Sequence, residues 1–402
     1  MIYSGMNLVN LRTMNRSKFL KLLNDRGPMP RKDISAELGL TPAAVTQICS
    51  ELLEEGVLEE GGALEEEARV GRKKILIGLN YRYAYILGVC IESEDTTVFI
   101  GNLRGECLRR RALKTDSGAE PENFLRQVAD TLRQLQRDAG MNDRQFLGIG
   151  VSVPGPVARQ AGISDHAYRI WNEPVKIADF FRKQTDLPVI VENNVKAFAK
   201  AELIFGAGKE VSNILLVKWG PGVESAIVIS KRVYDNQKGD TSELGHVHIS
   251  GKNKLCRCGR RGCLETEVST HAVAEKVRDS CTESRMPMVW NFCHGAPERL
   301  QARNIRTWAD IPDSGLRKVL DKVIEKMADV TLNAERLLAP DRVICFGDLF
   351  RLSYFKQKFP EFYRKLDITY EEGSLEYSRL SSRTDYIGPL AMVFNEILLQ
   401  DR

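Results

Sequence analysis

The chain of 402 residues has a globular composition, with 43% hydrophobic and 28% charged residues, and its length suggests two or three domains. A net charge of +4 is too small to indicate a nucleic-acid partner, so only the local distribution of charge can indicate whether the chain binds nucleic acid. No apolar run approaches the roughly 18–20 residues that span a bilayer, and the first residues lack the pattern of a signal peptide. We therefore expect a cytoplasmic protein without membrane insertion, whose nine cysteines form no disulfide framework.

The first segment of the chain predicts three short helices. The stretch RSKFLKLLNDRG, residues 16–27, places apolar side chains on one helical face and ends at a glycine followed by a proline. A second helix in PRKDISAELGL ends at Gly39, and a third begins with Thr41 as N-cap and Pro42 at its first position. Gly56 ends the third helix. This order of helices is typical of a helix-turn-helix.

The third predicted helix suits the major groove of DNA. Its outward residues are Ala43, Ala44, Gln47 and Ser50; small side chains permit close approach, and a glutamine can pair bidentately with adenine. Basic residues of the first two helices would contact phosphates. The DNA contacts predicted here are Thr41, Ala43, Ala44, Gln47 and Arg31. The alternative is a small helical bundle with solvated charges.

Residues 56–80 predict two strands that flank a turn, which is the wing of a winged helix-turn-helix. The middle of the turn, EEGGALEEE, is acidic and unsuited to DNA. The basic run RVGRKK that follows suits the minor groove. We therefore add Arg72 and Lys73 to the predicted DNA contacts.

From about Tyr83 onwards, predicted strands and helices alternate, which indicates an α/β architecture in two lobes. Polar residues gather at the ends of predicted strands, where ligands of α/β folds bind. Their carboxylates and carboxamides suit the hydroxyls of a sugar, and the alternative is that each caps a helix or lies in a loop. These residues are Asn193, Asn194, Glu243, His246 and Glu265.

Three cysteines stand close together in the stretch HVHISGKNKLCRCGRRGCLE, residues 246–265. Thiolates and imidazoles suit zinc in tetrahedral coordination, and glycines 259 and 262 let the loop curl so that Cys256, Cys258 and Cys263 converge. His246 or His248 would supply the fourth ligand, and a site with four protein ligands would be structural. A metal-free thiol cluster or a redox pair is the alternative.

Taken together and in this order, the motifs GVSVPGPV, Trp171-Asn172, LPVIVENN, SELGH and CRCGRRGCLE resemble the ROK family. The added winged helix resembles the repressor branch, which includes the repressors of glucose-uptake, N-acetylglucosamine and xylose operons. The resemblance implies a two-lobed, actin-like ATPase fold with sugar in the cleft. It places the fourth zinc ligand on His246 and leaves His248 outside the site. It places sugar contacts on Asn193, Asn194, Glu243, His246 and Glu265.

The chain departs from the kinases of that family at the catalytic positions. Asn194 stands where the kinases have an aspartate base, and a carboxamide cannot accept the proton of a sugar hydroxyl near neutral pH. Cys90 and Glu92 replace the aspartate and a glycine of the first phosphate loop, and a carboxylate there repels phosphate. The second phosphate loop gains Trp219 and Glu224. We therefore expect no ATP binding, no phosphotransfer and no enzymatic activity.

The sequence thus predicts a winged helix-turn-helix domain (α+β) at 1–80, followed at 81–402 by a two-lobed α/β domain of the actin-like ATPase fold with a zinc loop at 246–263. The predicted function is a homodimeric or tetrameric repressor of sugar uptake or catabolism genes. It would bind operator DNA, hold a structural zinc ion and respond to a sugar or sugar phosphate. The alternatives are control by a protein partner without a sugar ligand, and an active sugar kinase.

Overall fold

A computed structural model describes residues 8–63, 75–167, 169–236, 241–249, 251, 253–367 and 369–399. The chain divides into two compact units, which we call unit 1, Met1–Phe205 with Arg383–Arg402, and unit 2, Gly206–Ser382. The predicted domain boundary at residue 80 falls inside unit 1 and stays a prediction. Among the described residues no helix has the length and apolar character needed to cross a membrane.

The first part of unit 1 is a winged helix-turn-helix. Its elements are α1 (Leu8–Arg26), β1 (Met29–Pro30), α2 (Arg31–Leu38), α3 (Pro42–Glu54), β2 (Leu58–Ala63) and β3 (Ile75–Leu79). The three strands form one sheet in the order β1-β3-β2, with both pairs antiparallel. Helix α1 begins well before the predicted start at residue 16. Residues 64–74 lie outside the described residues, and with them the predicted contacts Arg72 and Lys73.

The start of α3 follows directly from its sequence. The Thr41 hydroxyl accepts a hydrogen bond from the Ala44 N–H at 3.2 Å, which satisfies one of the amides that a helix N-terminus leaves free. Gly39, with φ +63°, ends α2 in the left-handed conformation that glycine adopts without strain. The predicted N-cap, first-position proline and glycine stop are therefore confirmed.

The rest of unit 1 carries a five-stranded mixed sheet in the order β10-β7-β4-β5-β6. Helix α4 packs on it through apolar residues that include Phe124, Val128 and Leu132, all almost fully buried. The elements are β4 (Tyr85–Ile91), β5 (Asp95–Asn102), β6 (Cys107–Lys114), α4 (Pro121–Ala139), β7 (Phe146–Val153), β8 (Val157–Ala158), β9 (Ile163–Ser164), α5 (Ile177–Arg182), β10 (Val189–Asn193), α6 (Asn194–Phe205) and, from the end of the chain, α13 (Ile387–Val393) with a π-helical turn at Phe394–Leu399.

The winged module is packed on the remainder of unit 1. The Ser17 hydroxyl of α1 donates to the carbonyl of Leu399 at 2.5 Å, and the bond is buried. The Asn24 amide of the same helix donates to the carbonyl of Ile204, at the end of α6, at 3.3 Å. Helix α1 therefore contacts both the end of α6 and the π-helical turn.

Unit 2 carries a second five-stranded mixed sheet in the order β13-β12-β11-β14-β15. Four short helices between Glu265 and Trp308 were not predicted from the sequence. The elements are β11 (Ile214–Trp219), β12 (Val223–Ile229), β13 (Arg232–Val233), α7 (Glu265–Val268), α8 (Thr270–Ser280), α9 (Pro287–Phe292), α10 (Ile305–Trp308), α11 (Ser314–Leu338), β14 (Arg342–Phe346), α12 (Ser353–Leu366) and β15 (Leu375–Tyr377).

Candidate functional site

The three clustered cysteines of unit 2 meet one histidine. Loop 246–263 is closed by backbone pairs that join His248 to Cys263 and Leu255 to Arg261. The glycines at 259 and 262 take φ values of +83° and +72°, which L side chains rarely adopt. The loop therefore returns on itself between the second and third cysteines, as the glycine spacing predicted.

The side chains that this loop brings together form a group that could hold a metal ion. One ligand atom from each of its four members lies within 4.8 Å of every other. Cys256 Sγ lies 3.6 Å from His246 Nδ1, and the Sγ atoms of Cys258 and Cys263 are 3.7 Å apart. His248 is exposed and lies outside the group. The structure therefore favours His246 over His248, the choice that the residues alone left open.

The charges around the group differ from thiol to thiol. Burial raises the pKa of both Cys256 and Cys263. Burial also acts to raise the pKa of Cys258, but the hydrogen bonds from Arg260 Nε at 3.4 Å, from the Arg260 backbone and with Cys256 and Cys263 together outweigh it and leave that pKa below its ordinary value. Cys258 is therefore the thiol of this group that ionises most readily, and a thiolate is the form that binds metal.

Two predicted sugar contacts of unit 2 lie against the same group. The Glu243 carboxylate is 3.3 Å from His246 Nε2, and Cys256 Sγ donates to Glu265 Oε1 at 3.2 Å. The two carboxylates thus flank the histidine and one cysteine. A carboxylate on the second nitrogen of a ligating histidine fixes the orientation and tautomer of the ring.

The two predicted sugar contacts of unit 1 have different roles. The Asn193 side chain caps α6, since its Oδ1 accepts from the N–H groups of Val195 and Lys196 at 2.9 and 3.1 Å. Its Nδ2 donates to the Gly155 carbonyl at 3.0 Å. This capping role is the alternative that sequence analysis left open for each strand-end residue.

Asn194 differs from its neighbour because part of its amide is unsatisfied. Its Nδ2 donates to the carbonyl of Ile91 at 2.9 Å, which fixes the side chain. Its Oδ1 is buried and accepts no hydrogen bond from any described residue. A buried acceptor without a partner costs roughly 1–3 kcal/mol, so this oxygen is suited to receive a hydroxyl donor.

A buried ion cluster, which sequence analysis missed, supports the corner that holds the two asparagines. Glu192, only 2% exposed, lies 3.0 Å from Lys200 Nζ and 3.4 Å from Arg159 Nε. Lys200 and Arg159 also pair with Glu396 of the π-helical turn. Glu192 Oε1 accepts from the Asn193 N–H at 3.0 Å. The only sequence signal was a glutamate that interrupts the apolar run of β10.

The recognition helix α3 presents most of the predicted DNA contacts. Thr41, Ala43 and Gln47 are exposed, whereas Ala44 is half-buried. The predicted phosphate contact Arg31 pairs with Glu60 at 3.0 Å, and its Nε donates to Cys49 Sγ at 3.2 Å. Two further ion pairs join α1 to the end of α3, Arg12 with Glu51 and Arg16 with Glu55.

The segments that sequence analysis predicts to correspond to kinase phosphate loops carry carboxylates. The turn between β4 and β5 in unit 1 carries Glu92 and Glu94. In unit 2, a Cβ placed on Gly222 would lie 3.6 Å from Glu265 Oε2 and 3.8 Å from Glu224 Oε1. Negative charge beside a turn opposes the binding of a polyphosphate, although Lys218 Nζ pairs with Glu224 at 3.3 Å.

Trp219 is part of the core of unit 2. Its side chain is fully buried, its ring centroid lies 5.2 Å from those of Phe350 and Phe355, and its indole N–H donates to the Val268 carbonyl at 2.8 Å. Gly347 packs on its backbone so closely that an added Cβ would lie 2.5 Å from the Trp219 carbonyl oxygen. Trp219, at the end of β11, therefore packs with Phe350 and Phe355 in the core of unit 2.

Family models match both parts of the chain. The winged helix-turn-helix DNA-binding model matches residues 16–59, and the ROK family model matches residues 86–391. The xylose repressor of Caldicellulosiruptor bescii is 26% identical over 96% of this chain and 97% of its own length. The DNA-binding transcriptional dual regulator NagC of Escherichia coli is 24% identical over 85% of this chain and 82% of its own.

Solved structures share the fold. A ROK family transcriptional regulator homologous to the E. coli MLC protein superposes with a TM-score of 0.80 at 23% identity, over 97% of this chain and 98% of that one. A ROK family glucokinase from Streptomyces griseus, solved with glucose and AMPPNP, gives a TM-score of 0.66 at 20% identity, over 77% of this chain and 99% of that one. The predicted winged helix-turn-helix followed by a sugar-kinase-like, actin-like ATPase fold is confirmed, and the chain belongs to the ROK family.

Proposed function

We propose that this protein is a DNA-binding transcriptional regulator that represses genes of sugar uptake or catabolism. The observation that carries the proposal is a winged helix-turn-helix joined to a ROK domain in one chain, since a relative of nearly the same extent is a xylose repressor. A sugar or sugar phosphate is the effector. It shifts the equilibrium between forms that bind operator DNA with different affinity.

Asn194 supports a sugar ligand that is bound without being phosphorylated. Its buried, unpartnered Oδ1 can accept a hydrogen bond from a sugar hydroxyl. The amide cannot then remove the proton, because it has no basic lone pair near neutral pH. In unit 2, Glu243 and Glu265 are the proposed acceptors for further hydroxyls.

The carboxylates at both phosphate loops support the loss of kinase activity. A kinase binds the charge of ATP with backbone amides, a lysine and Mg²⁺, whereas the β4–β5 turn of this chain offers Glu92 and Glu94. The Gly222 turn faces Glu224 and Glu265. Consumption of ATP in the presence of a hexose or pentose would instead identify the protein as an active sugar kinase.

The His/Cys group supports a structural zinc ion. In a tetrahedral site with Zn–S bonds of about 2.3 Å and Zn–N bonds of about 2.0–2.1 Å, two sulfurs lie about 3.8 Å apart and a sulfur and a nitrogen about 3.6 Å apart. The observed separations of 3.7 and 3.6 Å fit these values. His246, Cys256, Cys258 and Cys263 would hold the ion. Four protein ligands leave no open position, so zinc would join the ends of the loop beside Glu243 and Glu265.

Contacts within unit 1 supply a route by which sugar at Asn194 could affect DNA binding. The neighbouring Asn193 N–H bonds to Glu192, which pairs with Lys200, which pairs with Glu396 of the π-helical turn. The same turn accepts a hydrogen bond from Ser17 of α1 at the carbonyl of Leu399. A change at Asn193 and Asn194 can therefore be transmitted to α1, the first helix of the winged module.

Binding to the DNA upstream of the protein's own gene tests the function. We expect the purified dimer to prefer such fragments over shuffled DNA by at least about 10³-fold near 150 mM salt, with affinity that falls steeply as salt rises. Two-fold symmetry predicts a pseudo-palindromic site with half-sites one helical turn or a multiple apart. Equal affinity for both DNAs would contradict the proposal of a sequence-specific regulator. The next test would then be whether the protein acts with a protein partner or has another role.

A further inference from the structure

A hydrogen-bonded chain of side chains runs across the exposed surface of the winged module and ends at Gln47. Gln47 Nε2 donates to Glu51 Oε1 at 3.2 Å, one turn along α3. The same Glu51 oxygen accepts from Arg12 of α1 at 2.5 Å. Gln47 is exposed on the outward face of the helix, so packing against other residues does not fix the orientation of its side chain.

Glu51 can hold the Gln47 amide in only one of its two orientations. An ionised carboxylate accepts hydrogen bonds and donates none, so it must face the NH2 group and not the carbonyl oxygen. The hydrogen bond from Arg12 lowers the pKa of Glu51 further and keeps it ionised. The outward part of the amide is then fixed as one acceptor, Oε1, and one remaining N–H of Nε2.

One acceptor and one donor match adenine and fail to match guanine. In the major groove adenine offers an N6–H donor and an N7 acceptor, whereas guanine offers two acceptors, O6 and N7. With one N–H bound to Glu51, the Nε2 group cannot donate to both guanine atoms. The Gln47 oxygen would also face guanine O6, which is another acceptor.

We propose that Glu51, held by Arg12, is a positioning residue that restricts Gln47 to adenine over guanine in the operator. The proposal rests on the proposed function, because it requires α3 to lie in the major groove. Glu51 itself need not contact DNA. It changes the base that Gln47 prefers much more than it changes the overall affinity of the protein for DNA.

Replacement of Glu51 by glutamine gives a sharp test, because the side chain keeps its size. A glutamine at 51 can accept from or donate to Gln47, so the Gln47 amide becomes free to turn over and offer both N–H groups to guanine. Glu55→Gln is the matched control. Glu55 is also an acid at the end of α3 paired with an arginine of α1, at 2.6 Å from Arg16 Nη1, whereas the Gln47 amide bonds to Glu51.

The experiment selects binding sites from randomised duplexes with the full-length wild-type protein and with Q47A, E51Q and E55Q. The wild type should enrich a site with adenine over guanine at one position per half-site, and Q47A should lose that preference. E51Q should lower the adenine-to-guanine ratio there by at least about fivefold, the lower limit for a bidentate contact, while other positions and the E55Q profile stay unchanged.

Four results would overturn the proposal, and they are distinguishable. If E51Q keeps the wild-type ratio, or if E55Q lowers it equally, Glu51 does not position Gln47. If Q47A leaves every position unchanged, Gln47 contacts no base, although the regulator itself stands. If the wild type enriches no sequence at all, the proposed function fails, and this inference fails with it.

Discussion

Removal of the ammonium group of Lys200 should destabilise unit 1 strongly. Lys200 and Arg159 together balance the charges of Glu192 and Glu396, and the side chains of Lys200 and Glu192 are only 8% and 2% exposed. Lys200→Met leaves the two carboxylates, Glu192 and Glu396, with Arg159 as their one partner, in a largely buried environment. Breaking a buried pair from one side costs about 3–5 kcal/mol, and we take about 3 kcal/mol because Arg159 still contacts both acids.

That loss is measurable by calorimetry or by thermal unfolding followed by intrinsic fluorescence. About 3 kcal/mol lowers Tm by about 6–12 °C for a domain of about 150–250 residues. The control is Lys114→Met, since Lys114 and Asp95 pair on the surface with exposures of 83% and 53%, and such pairs contribute under about 1 kcal/mol. The double variant E192Q/K200M should recover part of the loss, because it leaves no uncompensated charge on strand β10. A Tm shift of K200M no larger than that of K114M would show that the Lys200 ion pairs do not stabilise unit 1.

Three further changes test the other sites. Cys258→Ala removes one of four ligands, so bound zinc, measured by atomic spectrometry, should fall from about one ion per chain to a small fraction, and Tm should fall with it. Asn194→Ala removes the unpartnered acceptor, so the Tm rise that a sugar gives the wild type should disappear while sugar-free DNA binding is retained. Burial acts to raise the pKa of Glu267, but hydrogen bonds from Lys276 and Lys326 outweigh it and hold that pKa below its ordinary 4.5. The lowered pKa stabilises the folded state above about pH 4.5, and this stability is lost as pH falls through the folded-state pKa. Glu267→Gln should therefore lose less stability than the wild type between about pH 5 and pH 3.

Each of these changes has a control outside its site. Cys107→Ala removes a half-buried thiol that lies apart from the His/Cys group, so its zinc content should match the wild type. Unchanged zinc in C258A would remove Cys258 from the site. Retained sugar stabilisation in N194A would exclude Asn194 as a ligand. Glu275 pairs with Lys254 at the surface, and if E275Q flattened the acid response as much as E267Q, the effect would not belong to the pairing of Glu267 with Lys276 and Lys326.

Local features of this fold could be predicted because neighbouring residues determine them. The Thr41 cap, the proline after it and the glycine stops fix helix ends within a few residues of chain. The spacing of cysteines and glycines in 256–263 likewise determines a closed loop, whatever surrounds it. The resemblance supplied the family, and with it the choice of His246 as fourth ligand.

Long-range pairings could not be predicted from the same patterns. Lys200 and Glu396 meet across 196 positions of sequence, and no local periodicity connects them. The charge of Arg31 does not indicate that the sheet brings Glu60 against it, and its contact with phosphate stays a prediction. Asn193 and Asn194 look alike in sequence and differ only because one reaches free helix amides and the other the carbonyl of Ile91. Three of the four helices between Glu265 and Trp308 have at most six residues, too few turns to give a clear period.

We infer that sugar binding and DNA binding are coupled within one chain. The direct test measures operator affinity with and without saturating sugar, taken from D-xylose, D-glucose, N-acetyl-D-glucosamine and the 6-phosphates of the hexoses, and sugar affinity with and without operator. We expect that one sugar weakens operator binding, that operator weakens binding of that sugar by the same factor, and that ATP is not consumed. A sugar that binds but leaves operator affinity unchanged, or that is phosphorylated by ATP, would contradict it.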